Sequence, residues 1–349
     1  MQAAHATKCR QARHCRYLAQ MRIVAGMDEA GYGPLLGPLV VCCWAFEIHD
    51  AESDASDLWK RLASAVCRRP NDRKARIAID DSKTLKGAKE AAAHPLRHLE
   101  RGALAAIGAM KPDAHGQRIP LCEQALLQRI GVDAASTLPW YTQTAPSQLP
   151  LCHSMDALML AANRLRVNCE HAGIAPIGCR AVLVEPTDLN RIAHDAGNKG
   201  AVNSWAAMRL ACKLRRAYPH ASIDLVCDRH GGRMRYREEL ARAFPVATMR
   251  VCGEDESASH YELRESDATL AVHFETEADA RHLPVALASM TAKYLRELRM
   301  ARLNTFFAER LPGLAPTAGY VQDGRRFLAE IEPLLASAGV ERGALVRAV

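Results

Sequence analysis

Short apolar runs broken by glycine and proline mark the first readable part of the chain. Residues 22–27 have the composition of a strand, the segment DEAGYGPLLGP then interrupts it with three glycines and two prolines, and residues 39–46 resume as a second apolar run. The pattern predicts a hairpin-like pair of strands joined by a glycine-rich turn.

Helical and extended patterns alternate further along the chain. Residues 180–185 and the run SIDLVCD predict strands, whereas residues 205–218 and 284–310 carry apolar positions at spacings of three and four that predict helices. Strands separated by helices of this length indicate an α/β fold. We therefore expect a mixed sheet of about five strands flanked by helices.

The middle of the chain has a weaker pattern. Helical stretches near residues 123–130 and 154–169 are separated by the proline-bearing segment TLPWYTQTAPSQLPLC. We expect one domain over residues 21–340 with an inserted helical segment at about 95–178. Residues 1–20 are basic and lack apolar periodicity, so they predict a flexible N-terminal arm, with Met21 as the alternative start of the protein.

Composition and charge change this picture little. Hydrophobic residues make up 49% of the 349 residues and charged residues 24%, as in folded globular proteins, and the net charge of +7 suits a polyanionic partner without requiring one. The twelve cysteines follow no secretory signal and form no CxxC pair, so a reducing cytoplasm is the expected compartment. Cys9, His14 and Cys15 lack the paired spacing of a zinc site. No apolar run reaches the roughly 18 residues of a membrane span.

Two adjacent acids, Asp28 and Glu29, end the first apolar run. Burying carboxylates without a compensating cation is costly, so a metal ion is one natural partner, and capping of the following turn is the alternative role. The glycines after them let the backbone approach a ligand closely, and the amides of such a turn can face a phosphate. The segment lacks a GxGxxG that opens a helix, which disfavours a dinucleotide-binding fold.

Five motifs follow one another along the chain. They are the Asp-Glu-Ala-Gly-x-Gly-Pro stretch from Asp28 to Pro38, the Asp-Ser-Lys-x-Leu turn from Asp81 to Leu85, the strand that ends at Asp228, the Ala-Ser-x-x-Ala-Lys helix from Ala288 to Lys293 with Glu297 four residues later, and the Gly319-Tyr320 pair. In this order they resemble the motifs of the ribonuclease HII family and its relative ribonuclease HIII. The resemblance covers roughly residues 22–90 and 180–335. A glutamate at the position of Glu297 is similar to ribonuclease HIII.

The resemblance implies a ribonuclease H-like α/β fold and a specific activity. That activity is metal-dependent endonucleolytic hydrolysis of the RNA strand of RNA/DNA hybrids, or incision at ribonucleotides embedded in duplex DNA, with 5′-phosphomonoester products. The implied catalytic and metal-binding residues are Asp28, Glu29, Asp228 and Glu297, which would hold two Mg²⁺ or Mn²⁺ ions. The implied substrate-binding residues are Gly31, Tyr32, Gly33, Ser82, Lys83, Lys293 and Tyr320. We expect a monomer that binds such a duplex and no membrane.

The fourth acid keeps an alternative interpretation. Glu297 follows Lys293 at the spacing of an ordinary helix ion pair, which contributes only a few tenths of a kcal/mol. Asp255 and Asp267 are the other candidates for a fourth metal ligand, although the acid-rich stretch that contains them is typical of solvated charges. Lys83 could contact a phosphate or be an ordinary surface lysine. Tyr320 could contact the substrate nucleotide or be a buried tyrosine of the core.

Two departures from the family pattern bear on activity. Tyr32 stands where the family has arginine or lysine, and Arg229-His230 follow Asp228 where the family has glycine and asparagine. They support an alternative function, that of a non-catalytic or altered-specificity nucleic-acid-binding descendant of the fold. Retention of all four acids favours the enzyme. Basic residues at 68–74 and 233–237 are candidate phosphate contacts in either case.

Overall fold

Strands and helices alternate along the computed structural model, which describes residues 21–49, 57–70, 72–87, 94–132 and 136–348. The strands are β1 (Arg22–Ala30), β2 (Leu39–Ile48), β3 (Val66–Cys67), β4 (Ile77–Ala78), β5 (Ile174–Val184), β6 (Ser222–Asp228), β7 (Thr248–Glu254), β8 (Ala258–Glu265) and β9 (Ala268–Glu275). The α-helices are α1 (Leu58–Arg61), α2 (Ser82–Gly87), α3 (Arg97–Ala109), α4 (Glu123–Arg129), α5 (Pro139–Thr142), α6 (Met155–His171), α7 (Pro186–Ala196), α8 (Gly200–Ala217), α9 (Arg237–Ala243), α10 (Ala278–Arg281), α11 (Leu283–Ala308), α12 (Val321–Ile331) and α13 (Arg342–Leu345). The predicted N-terminal arm at residues 1–20 lies outside the described residues.

A seven-stranded mixed sheet runs through the protein in the order β5-β2-β1-β6-β9-β8-β7. The central strands β1, β6 and β9 are parallel, whereas β2 and β5 on one side and β8 and β7 on the other pair antiparallel. The predicted fold class, a mixed sheet flanked by helices, is therefore confirmed. The antiparallel pairing of β1 with β2 also matches the predicted hairpin-like pair.

The sheet has more strands than the sequence pattern predicted. The additional strands come largely from residues 248–275, where the acid-rich stretch forms β8 and its flanking turns. Ser259, Tyr261 and Leu263 of β8 are buried and alternate with more exposed neighbours, as expected for a strand with one covered face. The acidic side chains of this stretch lie at the more exposed positions of β8 and in the turns, and they made the alternation hard to recognise in the sequence.

Both faces of the sheet are covered by helices. Alternate residues of β1, Ile23, Ala25 and Met27, belong to the core that α7, α8 and α9 cover. The opposite face, which includes Trp44 and Phe46 of β2, packs against α3, α6 and α11. Because successive side chains of a strand point to opposite faces, the two residues that end a central strand face different helical layers.

The 26-residue helix α11 is the longest described helix, and it lies where the sequence pattern predicted a helix over residues 284–310. It packs on β1 and β2. Its approach to β1 depends on Gly26, because a Cβ at that position would lie 2.3 Å from the Val285 nitrogen and 2.4 Å from the Pro284 carbonyl carbon. A hydrogen bond of 3.0 Å from the Trp44 indole to the Thr291 hydroxyl fixes the helix on β2. The helix is thereby held at a defined depth and register on the sheet.

The segment predicted as an insertion contributes to the same core. Its helices α3 and α6 pack on each other, and α3 also packs on α11. The fully buried Glu100 of α3 accepts hydrogen bonds from the Tyr294 hydroxyl and from the backbone amides of Leu151 and Cys152. Among the described residues, no helix is both long and apolar enough to cross a membrane.

We expect Gly26→Ala to lower the free energy of unfolding by about 2–3 kcal/mol, because the added methyl group overpacks against helix backbone rather than against a flexible side chain. Chemical denaturation measures this change. Gly178→Ala is the matched control, since a Cβ at that strand glycine meets no heavy atom within 4 Å. Equal stability of the two variants would contradict the close α11–β1 contact.

Candidate functional site

Asp28 and Glu29 lie at the end of β1 and face opposite layers of helices. Asp28 is within hydrogen-bonding reach of the Ser289 hydroxyl on α11. Glu29 lies beside the Asn203 amide on α8. The alternation of β1 therefore places one carboxylate against each helical layer, at the same end of the sheet.

Asp228 joins these two acids because β6 runs parallel to β1. The two strands are in register up to the pair Met27 and Cys227, so Asp28 and Asp228 follow at the same sheet edge. One Asp228 carboxylate oxygen accepts a hydrogen bond of 2.9 Å from the Ala278 amide at the start of α10. The structure thus brings together three of the four acids predicted from the sequence.

Asp279, which the sequence reasoning did not consider, supplies a further carboxylate beside Asp228. Its position on α10 follows directly from the Ala278–Asp228 hydrogen bond. The charges of Asp279 and Asp228 interact, and Asp81 contributes to the same field. A recognisable signal precedes it, because the alternating run ATLAVHFE predicts a strand and Asp279 follows that strand at its carboxyl end.

The Asp-Ser-Lys turn borders the acids. Asp81 caps α2 by accepting hydrogen bonds from the Lys83 and Thr84 amides at 3.0 and 3.3 Å. The buried Ser82 hydroxyl accepts a hydrogen bond of 3.1 Å from Ser289, which links this turn to the helix beside Asp28. Lys83 lies close enough to Glu29, Asp228 and Asp279 to lower their pKa values.

The four carboxyl groups have raised pKa values. Burial, followed by repulsion from Glu29 and Asp228, raises the pKa of Asp28 well above its ordinary value. Burial is also the main cause for Glu29, whose pKa rises to about 7, and for Asp228, whose pKa rises to about 6. The pKa of Asp279 is raised by burial and by Asp81. The cluster is therefore short of positive charge.

Asn203 is a fully buried side chain with unsatisfied polar atoms at this site. It lies near enough to Glu29 to favour the carboxylate form, yet neither its Oδ1 nor its Nδ2 has a hydrogen-bond partner among the described residues. A buried amide without partners is unfavourable, so a water or a ligand beside Glu29 would stabilise it.

The donor set of this cluster fits a hard divalent cation. Asp28, Glu29, Asp228 and Asp279 offer only carboxylate oxygens, which are the ligands that Mg²⁺ and Mn²⁺ prefer. A bound cation would also remove the repulsion that raises the pKa values of these acids. The chemistry of the residues present is thus consistent with the predicted metal.

The structure does not bring Glu297 to the cluster, and its role as the fourth acid stays a prediction. Glu297 lies eight residues beyond Ser289 on α11, which corresponds to about 12 Å along the helix. Its carboxylate pairs with Lys293 at 2.9 Å, and it borders a cavity lined also by Asn304 and Thr317. The regular rise of the helix therefore carries Glu297 past the carboxyl edge where the other acids meet, and Lys293 lies in the ion pair.

Asp255 and Asp267 are also separate from the cluster. Asp255 accepts hydrogen bonds from Ser257 and the Ala258 amide in the β7–β8 turn. Asp267, whose side chain is 81% exposed, lies 3.9 Å from His220 at the β8–β9 turn. Both acids belong to the hairpin and its turns, so neither replaces Asp279.

The glycine turn from Gly31 to Gly33 follows the acids and is supported by buried arginines. Gly31 has a φ of +94°, and a Cβ there would lie 2.6 Å from Arg296 Nε and 2.7 Å from the Pro38 carbonyl oxygen. Arg347 donates from one side to the Gly31 carbonyl oxygen and to that of Gly37, the latter at 2.8 Å from its Nε. Only glycine fits this conformation and this spacing.

Tyr32 is partly exposed at the tip of this turn. The Lys199 ammonium, at the start of α8, lies 5.4 Å from the centre of the Tyr32 ring. The turn thus carries no cation at position 32, but a lysine from another part of the chain lies over the tyrosine ring. Gly33 is open, with no heavy atom within 4 Å of a Cβ built there.

Tyr320 lies beside the glycine turn on its other side. The carbonyl oxygen of Gly319 accepts hydrogen bonds from the Leu35 and Leu36 amides at 2.8 and 3.1 Å. The Tyr320 side chain is 52% exposed at the start of α12, so it is not the buried core tyrosine of the alternative interpretation. Tyr32 and Tyr320, which both border the glycine turn, are therefore exposed to solvent.

The residues after Asp228 have structural roles. Arg229 donates to the Asp255 carbonyl oxygen at 2.8 Å and to Ser259 at 3.3 Å, which ties the end of β6 to the β7–β8 turn. His230 is buried, with its Nδ1 3.3 Å from the Ser204 hydroxyl, and burial lowers its pKa to about 3. Arg229, which stands where the resemblance would place glycine, therefore contacts the β7–β8 hairpin.

The basic residues considered for phosphate contact differ in their surroundings. Arg68 stacks on Trp59 at 3.7 Å and donates to the Ala280 carbonyl oxygen at 2.7 Å. Arg233 and Arg237 form ion pairs with glutamates of α9 and β7. Their charges are therefore partly neutralised within the protein.

Comparisons with known proteins give matches among solved structures alone. No protein-family model matches the chain, and no curated protein matches it. The chain is similar to ribonuclease HII in the PCNA:RNase HII complex from Archaeoglobus fulgidus, with 15% identity, 94% of each chain covered and a TM-score of 0.40. It is similar to ribonuclease H2 from Pyrococcus horikoshii OT3, with 14% identity, 93% of this chain and 92% of that chain covered, and a TM-score of 0.36. It is also similar to Bst-RNase HIII in complex with Mn²⁺, with 14% identity, 95% of this chain and 67% of that chain covered, and a TM-score of 0.39. What this chain does is therefore inferred from its own residues.

Without divalent metal, we expect the free energy of unfolding to fall as the pH rises from about 5 to 8. The pKa values of Glu29, about 7, and Asp228, about 6, lie above those of unfolded carboxyls, so the folded protein keeps protons that the unfolded chain has lost. The stabilisation from these bound protons is complete at a pH below the pKa of carboxyl groups in the unfolded chain. It is lost as the pH rises through the pKa values of Glu29 and Asp228 in the folded protein. Thermal melting in chelator across this range measures it, and Mg²⁺ should raise the melting temperature most at the alkaline end.

Two variants separate this effect from other titrations. Glu29→Gln should flatten the fall in stability, whereas Asp267→Asn, at the exposed β8–β9 turn, should keep the wild-type dependence. A Glu29→Gln protein with the full wild-type pH dependence would argue against a strained carboxylate cluster.

Proposed function

We propose that this protein is a metal-dependent endonuclease of the ribonuclease H type, which hydrolyses the RNA strand of RNA/DNA hybrids or incises at a ribonucleotide embedded in duplex DNA. The observation that carries the proposal is the meeting of distant motifs at one sheet edge. Asp28-Glu29, Ser82-Lys83 and Asp228, which resemble motifs of ribonuclease HII, lie together although 200 residues separate the first from the last. The proposed products are 5′-phosphomonoesters.

Asp28, Glu29, Asp228 and Asp279 would hold the Mg²⁺ or Mn²⁺ ions in this proposal. When bound, such ions would supply electrostatic stabilisation of the charge that develops on the attacking and leaving oxygens of a phosphodiester. Ser289 orients Asp28, the Ala278 amide orients Asp228, and Lys83 offsets part of the negative charge. Asp279 takes the place that the sequence motif assigned to Glu297, because it lies beside Asp228.

The residues around the glycine turn suit recognition of a ribose. Main-chain groups of Gly31 and Gly33 would contact the sugar and phosphate, and a 2′-hydroxyl distinguishes RNA from DNA at such a contact. The exposed ring of Tyr320 can pack on that nucleotide. Tyr32, with the Lys199 ammonium over its ring, would form the second wall.

A groove between α8 and α9 supports a path for the nucleic acid. The groove has a volume of about 750 Å³ and is bordered by Trp205, Arg209, Lys213 and Arg216, which lie on one face of α8. The Arg209 guanidinium lies 4.9 Å from the Trp205 ring centre. Cations interleaved with an exposed aromatic ring are typical of nucleic-acid contact surfaces, and this one begins next to Asn203.

Cleavage assays on three substrates test the proposal. An RNA/DNA hybrid, a DNA duplex with one ribonucleotide and an all-DNA duplex are incubated with Mg²⁺, Mn²⁺ or chelator. We expect metal-dependent cleavage of the ribonucleotide-containing substrates, no cleavage of all-DNA duplex, and no activity of Asp228→Asn. Tight binding of these duplexes without cleavage in either metal would instead favour a non-catalytic descendant of the fold.

Paired substitutions distinguish Asp279 from Glu297 as the fourth acid. Asp279→Asn should lower kcat by about a hundredfold or more, because loss of a metal ligand removes several kcal/mol of transition-state stabilisation. Glu297→Gln removes an ion pair with Lys293 and should leave kcat within about threefold of wild type. Single-turnover rates at limiting Mg²⁺ give both values. The reverse order of effects would restore Glu297 as the ligand.

A further inference from the structure

A cluster of histidine and glutamate side chains lies on β8 and β9, next to the four acids but made of other residues. His260 of β8 and His273 of β9 are a directly opposed cross-strand pair, and Glu275 follows on the same face of β9. One potential ligand atom from each of the three lies within 4.8 Å of the others. All three side chains are partly buried. The cluster is therefore held by regular sheet geometry rather than by a loop.

Asp224 fixes the orientation of the His273 ring. Its carboxylate oxygen lies 2.8 Å from His273 Nε2, so that nitrogen carries a proton and donates it. In the neutral imidazole His273 Nδ1 is then a lone-pair nitrogen, and it lies 2.5 Å from His260 Nδ1. A carboxylate behind the outer nitrogen of a histidine is the arrangement that supports metal-binding histidines in proteins.

Glu275 is held in a corresponding way. One of its oxygens, Oε2, lies 3.0 Å from His282 Nε2 and 3.1 Å from Arg281 Nη2. Both donors contact this one oxygen, which leaves Oε1 available as the ligand atom. The two residues that orient the cluster from behind are thus Asp224 for the imidazole and His282 for the carboxylate.

We propose that His260, His273 and Glu275 bind a Zn²⁺ ion. Two imidazole nitrogens and one carboxylate oxygen are a ligand set that Zn²⁺ commonly takes, with a fourth position left for water. The two Nδ1 atoms face each other at a distance where only one proton can lie between them, and tetrahedral coordination with bonds of about 2.0–2.1 Å would separate them to about 3.3 Å. Asp224 and Glu275 supply two negative charges beside the ion, and Arg281 offsets part of the charge of Glu275.

This site differs in chemistry from the four-carboxylate cluster. Nitrogen ligands select Zn²⁺ over Mg²⁺, whereas the all-oxygen cluster suits Mg²⁺. Glu275 pairs with Asp228 in the register of β9 and β6, so the two sites are neighbours on one face. A bound Zn²⁺ would fasten β8 and β9 together and, through His282, hold the start of α11. The inference concerns residues that the proposed nuclease activity does not use.

Zinc titration of the full-length, chelator-stripped protein in excess Mg²⁺ tests the site. With a chromophoric chelator as competitor, we expect one Zn²⁺ per chain for wild type. Asp224→Asn should weaken binding about 10- to 100-fold through loss of the supporting carboxylate, and His273→Gln should weaken it further. Circular dichroism and melting in chelator establish that each variant is folded, and Zn²⁺ should raise the melting temperature of wild type but not of His273→Gln.

Two control variants place the ion. His220→Gln removes an exposed histidine outside the cluster and should bind Zn²⁺ as wild type does. Asp28→Asn alters the carboxylate cluster and should also leave this Zn²⁺ in place. Unchanged affinity in a His260→Gln, His273→Gln double variant would overturn the proposal. So would loss of the Zn²⁺ in Asp28→Asn, or thiolate absorption bands on Co²⁺ substitution, which would put the ion on cysteine.

Discussion

The close contact of α11 with β1 at Gly26 is the constraint on which the arrangement of the site depends. Side-chain atoms at position 26 would push the helix away from the sheet. With the helix held close, Ser289 reaches Asp28 on one side and Ser82 on the other, so one hydroxyl connects two motifs that are 53 residues apart in sequence. The backbone contact therefore sets the relative positions of side chains that belong to different parts of the chain.

Repulsion among the buried acids at the sheet edge lowers the stability of the fold, and the same acids are the metal ligands of the proposed function. Parallel β1 and β6 end together, and the first turn of α10 adds Asp279, so carboxylates accumulate where burial is already high. Lys83 offsets only part of this charge. The fold can tolerate the strain because the rest of the sheet is covered by apolar layers on both faces. The acidic edge that we propose as the metal site is thus built beside an apolar core.

Much of this arrangement could be predicted from the sequence, and the remainder has identifiable causes. Strands β1, β2 and β6 and helix α11 could be predicted, because they coincide with clear apolar runs or with apolar positions at helical spacing. Asp28, Glu29 and Asp228 could be placed because strand ends fix their positions. Asp279 was missed because it reaches Asp228 only through the pairing of β9 with β6. That pairing joins segments far apart in the chain, and local sequence patterns do not reveal it. Glu297 was favoured because a motif gives spacing along a helix but not which turn of the helix faces the site. Lys199 near Tyr32 is likewise a tertiary contact without a sequence pattern.

The hydrogen bonds of Arg347 to the glycine turn have a consequence for synthesis of the protein. Arg347 binds the Gly31 carbonyl oxygen across a separation of 316 residues, and its backbone amide also bonds to Leu35. During translation the turn is made early, whereas Arg347 is synthesised only after all seven strands of the sheet, the last of which ends at Glu275. The nascent chain therefore passes through a long interval in which the sheet can form while the turn beside the acids lacks its arginine. The hydrogen bonds that support the glycine turn therefore form only late in the synthesis of each molecule.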